Sequence, residues 1–336
     1  MTDILNAIVL LSNFVLIPGL VYGSQLALGA LGVTLIYAVL RFSNFAHGDL
    51  MAFGTAAVIL MTWWLQSLGV SAGPLPTALI ALPVGILAAV LLSLGMDRAV
   101  YSFYREKRAA PVVFVIASVG VMFVLNGLTR LIIGPDDQRF ADGARFVINV
   151  RDFREMTGLD QGLALRTTQV LTVVVAIALV VALFAFLNRS RMGKAMRAYS
   201  DNEDLALLSG IDPQKVVFWT WVIAAGLATV AGTLYGLDKS FKPFTYFQLL
   251  LPIFAAAIVG GIGNPVGAVA GGFLIAFSET TVTYAYKQFA GYLVPGWQPE
   301  GLLQLLSTDY KFAVSFVILV VVLLIRPTGL FRGRVI

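Results

Sequence analysis

An α-helix needs about 20 consecutive apolar residues to cross the hydrocarbon core of a bilayer, and runs of that kind fill most of this chain. They lie at 19–40, 44–66, 77–96, 111–133, 168–187, 215–237, 246–262 and 265–286, with a shorter one at 310–325 that stops against Arg326-Pro327. One more apolar stretch, Ile4–Ile17, is short and interrupted by Asn6 and Asn13, and reads as a half-crossing or an interfacial helix. Lipid offers no partner for an exposed peptide group, so spans of this type must bond their own backbone. The expectation is an all-α polytopic membrane protein with about eight to ten transmembrane helices. It forms one transmembrane domain over residues 1–336, with lipid around it. Of the 336 residues, 59% are hydrophobic and 12% charged, against about 45–50% and 25% in soluble domains. That balance excludes a soluble enzyme, a disordered tail and a nucleic-acid-binding module.

Charge orients the bundle. Arg98, Arg105, Lys107 and Arg108 form one basic segment, and Arg189, Arg191, Lys194 and Arg197 another. Two spans separate them, so they share a side, which the positive-inside rule makes cytoplasmic. Arg41 and the C-terminal Arg326, Arg332 and Arg334 then also fall inside, so the C-terminus is expected in the cytoplasm. Inside holds 13 Lys/Arg against 7 Asp/Glu, and outside holds 10 against 11. The difference is modest because the outer loop, 134–166, carries five arginines among its acidic residues. That loop reads either as a solvated connection or as a landing surface for a soluble partner. The first basic residue is Arg41, so no cationic leader precedes the apolar runs and a cleavable signal is not expected.

Several chemistries are missing. A phosphate-binding loop needs closely spaced glycines followed by Lys-Ser/Thr, and Met192-Gly193-Lys194-Ala195 lacks the earlier glycine and the hydroxyl. With one histidine, His47, and no cysteine, no metal site is expected. Ion-driven pumps keep ionisable groups deep in the membrane. Here the span interiors are nearly free of them, Glu279 being the main exception. The chain is therefore a passive pore or takes its energy from another subunit.

Three segments carry more information. In Arg41-Phe42-Ser43-Asn44-Phe45-Ala46-His47-Gly48-Asp49, Arg41 suits the C-terminal dipole of the preceding helix, and Ser43 or Asn44 can cap the next. His47 reads as a packing residue or a pathway residue. In Gly260-Gly261-Ile262-Gly263-Asn264-Pro265-Val266-Gly267, continuing to Gly271-Gly272, Asn264 and Pro265 mark a helix start. Gly263, Gly267 and Gly271 fall four apart, a face onto which another backbone can close. This segment is either a packing device or a hairpin lining the path or gate. The third lies in the cytoplasmic loop 188–215. Ser200-Asp201-Asn202-Glu203 reads as a capping box with Ser200 as the cap, followed by Leu205-Ala206-Leu207-Leu208 and a stop at Gly210. Asp212-Pro213 then opens the next span. A separately capped short helix with apolar residues outside the membrane reads as a docking helix or as packing beneath the bundle.

Together with Arg191-Met192-Gly193-Lys194-Ala195-Met196-Arg197-Ala198, these runs occur in the same order in a known family. The chain resembles the first of the two membrane permeases of high-affinity branched-chain amino acid ABC importers. The likeness covers nearly the whole length, ending at Arg326-Pro327-Thr328-Gly329-Leu330. The Asn44–Gly48 run is fairly specific, whereas the glycine hairpin is shared with sugar importers of the same superfamily. Tyr199-Ser200-Asp201-Asn202, where smaller residues are expected, and the arginine-rich outer loop depart from the pattern.

The resemblance implies an ABC-importer permease bundle, multi-pass in a bacterial inner membrane. It is a translocation subunit rather than an enzyme. Its partners are a second homologous permease, two cytoplasmic ATPase subunits that hold ATP-Mg, and a periplasmic substrate-binding protein; the chain itself binds no cofactor. Gly193, Arg197, Ser200, Asp201, Glu203, Leu205, Leu208 and Gly210 are then candidates for coupling to the ATPases. Asn44, His47, Gly48, Gly260, Gly261, Gly263 and Asn264 are candidates for the pathway or gate, and Gly267 and Gly271 for helix packing. Two rival readings stand beside this one: the same machine moving urea, short amides or small carboxylates, and a stand-alone channel or facilitator.

Overall fold

A computed structural model describes residues 2–293 and 301–331; Arg332 and Arg334, expected on the cytoplasmic side, lie outside the described residues. The first four helices are α1 (Thr2–Leu40), α2 (His47–Ser67), α3 (Ala78–Glu106) and α4 (Pro111–Ile133). A long loop follows with β1 (Phe146–Ile148), α5 (Val150–Thr157) and β2 (Leu165–Arg166). After α6 (Thr167–Arg189) come α7 (Arg191–Asp201) and α8 (Glu203–Leu208). The chain continues through α9 (Pro213–Asp238), α10 (Pro243–Gly260), α11 (Pro265–Thr283), α12 (Lys287–Leu293) and α13 (Lys311–Ile325). Among the described residues, nine of these helices, α13 taken with the 3-10 turn Thr308–Tyr310 that precedes it, are long and apolar enough to cross a bilayer, within the range expected.

The first apolar stretch is corrected by the structure. Ile4–Ile17 is not a separate helix; it continues into α1 through a π-helical turn at Ser12–Leu16. The 39 residues of α1 make a rod about 58 Å long, roughly twice the hydrocarbon thickness. The two asparagines that break its apolar run hold the long loop. Asn6 accepts from the Gln161 amide at 3.0 Å, and Asn13 accepts from the Ala164 amide at 3.0 Å while donating to the Gly162 carbonyl at 2.8 Å.

Helix α1 is the hub, packed by α9, α10 and α11, with α2 against α3 and α9. Its glycines permit this: a Cβ on Gly29 would sit 2.8 Å from Ile253, and one on Gly32 would meet the His47 ring at 2.6 Å. Helices α4, α6 and α13 lie at the periphery and expose Ile116, Val124, Val181 and Leu324. Among the described residues, two carboxylates carried on the spans are buried, Asp49 and Glu279. Glu279 accepts from the Ser315 hydroxyl of α13, and Asp49, fully buried, accepts from Asn126 of α4 at 2.7 Å.

Candidate functional site

The connections 41–46, 190–212 and 261–264 gather at one face of the bundle. Arg41 closes α1 in the left-handed conformation (φ 59°), its amide bonding the Tyr37 carbonyl at 3.0 Å. Its guanidinium does not stay at its own helix end but donates to the Ser200 carbonyl of α7. The hub helix is thereby tied to the α7–α8 segment.

Asn44 forms a tight turn ahead of α2, its side-chain oxygen accepting from the Ala46 amide at 3.1 Å and from the Tyr101 hydroxyl at 3.2 Å. Neither Ser43 nor Asn44 caps α2 itself, whose N-cap is Ala46 without a side-chain bond. Tyr101 stacks on Trp221 at 5.4 Å, and the Trp221 indole donates to Asp97, which Arg105 also holds at 2.9 and 3.0 Å. His47 is fully buried, and neither ring nitrogen makes a well-aligned hydrogen bond. Gly48 is compressed against α10, where a Cβ would lie 2.7 Å from the Tyr246 carbonyl. These three residues are core positions, separate from the surface segments described next.

The α7–α8 segment departs from its expected capping. Ser200 is not the cap: α7 runs through it to Asp201, and α8 is capped by Asn202, whose side chain accepts from the Leu205 amide at 3.0 Å. Glu203 does not reach back to residue 200, because its carboxylate accepts from the Tyr199 hydroxyl at 2.6 Å. Burial, and then this carboxylate, push the Tyr199 phenol up from its ordinary value. At the start of α7, Ser190 accepts from the Gly193 amide at 2.8 Å; a Cβ on Gly193 would collide with the Phe186 carbonyl. Arg197 donates to Asn188 at 3.0 Å. Gly210 ends α8 with φ 80°, and Asp212 caps α9 by accepting from Gln214 at 2.9 Å. Ala206 is buried, whereas Leu205 and Leu208 are 61% and 86% exposed.

The glycine segment forms the tight turn between α10 and α11. Asn264 caps α11, accepting from the Val266 and Gly267 amides at 3.0 and 3.2 Å. Gly267 and Gly271 face α10, where a Cβ on either would fall on the Gly260 or Ala256 carbonyl, and Gly260 faces Gly267 in return. Gly263 is not part of that face. It sits in the turn at φ 85° with open space beside it, and Gly261 has φ 113°. The chain end fastens this turn, a contact that sequence reasoning missed. The Leu330 and Phe331 amides donate to the Val259 and Gly260 carbonyls at 2.9 and 3.1 Å, and Asn264 donates to the Phe331 carbonyl at 2.8 Å.

Between the two segments lies a cavity of about 290 Å³, walled by Arg197, Ser200 and Asp201 on one side and Gly263 and Asn264 on the other. The structure thus brings part of the expected coupling set next to part of the expected gate set. It leaves Leu205 and Leu208 pointing outward.

The fold and this face describe a multi-pass bundle of apolar helices with an appended helical segment at one end. The family model described as the branched-chain amino acid transport system permease component matches residues 15–323. The chain belongs to that family. It is 29% identical over 320 residues to the high-affinity branched-chain amino acid transport system permease protein LivH of Escherichia coli, covering 93% of this chain and 92% of that protein. LivM of the same organism, a permease protein described in the same terms, is 26% identical over 149 residues, 41% of this chain and 35% of LivM. Among solved structures, PsaBC from Streptococcus pneumoniae in complex with Fab aligns over 97% of this chain and 92% of that one, with TM-score 0.47 and 14% identity.

Proposed function

We propose that the chain is the translocation subunit of an ATP-driven importer for branched-chain or related amino acids in the bacterial inner membrane. The basic connections support a cytoplasmic α7–α8 face and an outer 134–166 loop. A second, homologous permease pairs with it, as the partial likeness to LivM supports. Two ATPase subunits hold ATP-Mg, and a periplasmic binding protein delivers the cargo.

The observation that carries this reading is α8: a short, separately capped helix with Leu205 and Leu208 exposed beyond the spans. Such a helix can seat in a groove of an ATPase, its acidic first turn matching the positive end of its own dipole. Closure of the ATPases would reach α9 through Gly210 and Asp212-Pro213, and would reach α1 through Arg41 and Ser200. Leu205→Asp with Leu208→Asp forces two unpaired carboxylates into that groove, at about 3–5 kcal/mol each. The double variant should enter the membrane normally, lose co-purifying ATPase, and lose substrate-stimulated ATP hydrolysis. Wild-type association and stimulation would make α8 a packing element only.

A further inference from the structure

The opposite face holds a second cavity, of about 530 Å³, walled by Arg139, Arg145, Arg166, Lys239, Asp142 and Thr168 among others. Its walls are pinned at several points. Gln138 and Phe241 exchange backbone hydrogen bonds at 2.7 and 2.9 Å, and the Ala144 amide donates to the Pro74 carbonyl at 2.9 Å. Asp142 accepts from the Thr77 amide at 2.7 Å, the Thr77 hydroxyl at 2.6 Å and the Gln66 amide group at 2.9 Å.

The charges in this frame do not cancel. Lys239 pairs with Asp238 at 3.3 Å, but among the described residues no carboxylate lies within ion-pair distance of Arg139, Arg145 or Arg166. Asp142, which also lines the cavity, is held by neutral donors. The 23-residue helix α6 starts at the cavity, with Arg166 as N-cap and Thr168 in its first turn, adding the positive end of a dipole.

We infer that this cavity is a binding site for a free zwitterionic amino acid on the outer face of the permease itself. The α-carboxylate is taken by the three arginines, whose forked donors suit it. The ammonium is taken by Asp142, a cavity-lining carboxylate whose partners, Thr77 and Gln66, are neutral and leave its charge uncompensated. A volume of this order accommodates a small-molecule ligand. A phosphate dianion would meet Asp142 with like charge, whereas a zwitterion finds both of its ends matched. The inference rests on the importer reading only in taking the cargo to be an amino acid.

The test uses the full chain in phosphatidylcholine nanodiscs, with saturation-transfer NMR of L-leucine, isoamylamine (no carboxylate) and isocaproate (no ammonium). Leucine should bind, and each analogue should bind about tenfold more weakly, as for loss of one charge-assisted contact. Arg139→Gln with Arg145→Gln and Arg166→Gln should weaken leucine by at least about tenfold, while the three Arg→Lys changes, which keep the charge but lose the fork, should weaken it less than the glutamine changes do. If the triple glutamine variant elutes as aggregate, the single Arg145→Gln and a salt titration carry the same comparison. Wild-type leucine binding in the glutamine variants, or equal binding of leucine and isoamylamine, would overturn the site. So would inorganic phosphate displacing leucine more strongly than isocaproate does, which would mark a lipid-phosphate site instead. ATP-driven leucine uptake by the full assembly is read separately. Uptake without leucine binding to this chain sinks this inference alone, and binding without ATP-driven uptake sinks the importer reading alone.

Discussion

At the scale of single residues, two positions carry predictions with opposite chemistry. Gly267 meets the Gly260 carbonyl with no room for a Cβ, whereas Gly127 on α4 has open space around it. Gly267→Leu should therefore destabilise the protein by about 1–3 kcal/mol or more through overpacking, and Gly127→Leu should leave it unchanged. Thermal unfolding in detergent of the two variants checks this. Asp142 is the second. Burial raises its carboxyl, but the donors Thr77 and Gln66 outweigh that and hold it below its ordinary value of 3.8. A depressed folded value means that the attachment is complete at neutral pH and is lost as pH falls through the folded value. A spin label at Ala141 should be immobile at neutral pH and loosen on acidification below about pH 4. With Asp142→Asn the label should be mobile throughout.

At the scale of elements, the spans were legible because a bilayer imposes length and composition together. The helix starts at Asn264-Pro265 and Asp212-Pro213 were legible because capping is a local matter of side chain and backbone. What escaped were choices made by distant partners. Asn6 and Asn13 look like interruptions of α1 until the 160–164 strand of chain lies against them. Ser200 looks like a cap until Tyr199 takes the Glu203 carboxylate and Asn202 takes the helix start. The fastening of the α10–α11 turn by Gly329–Phe331 has no local signature at all, beyond a glycine that such a turn requires. Gly329 sits at φ 77°, where a Cβ would lie 2.6 Å from the Gly261 Cα. Gly329→Ala should cost more than about 1 kcal/mol and release the chain end from the turn. A cysteine introduced at Gly263 should then react faster with a soluble maleimide than it does in the otherwise unchanged chain.

At the scale of the whole molecule, Arg41 and the chain end connect the hub and the hairpin to one face, while the 134–166 loop is anchored across the other. A bundle tied in this way moves its two faces through shared helices, and the α7–α8 segment is where an outside energy source can act on it. The proposed division of labour is that this chain supplies the path and other subunits supply the energy. Radiolabelled leucine uptake into proteoliposomes tests it most directly, comparing this chain alone with the complete set of permeases, ATPases and binding protein. Uptake should require the complete set and ATP, and the chain alone should carry none. Leucine flux through the chain alone, without ATP or partners, would contradict the account and make the protein a facilitator.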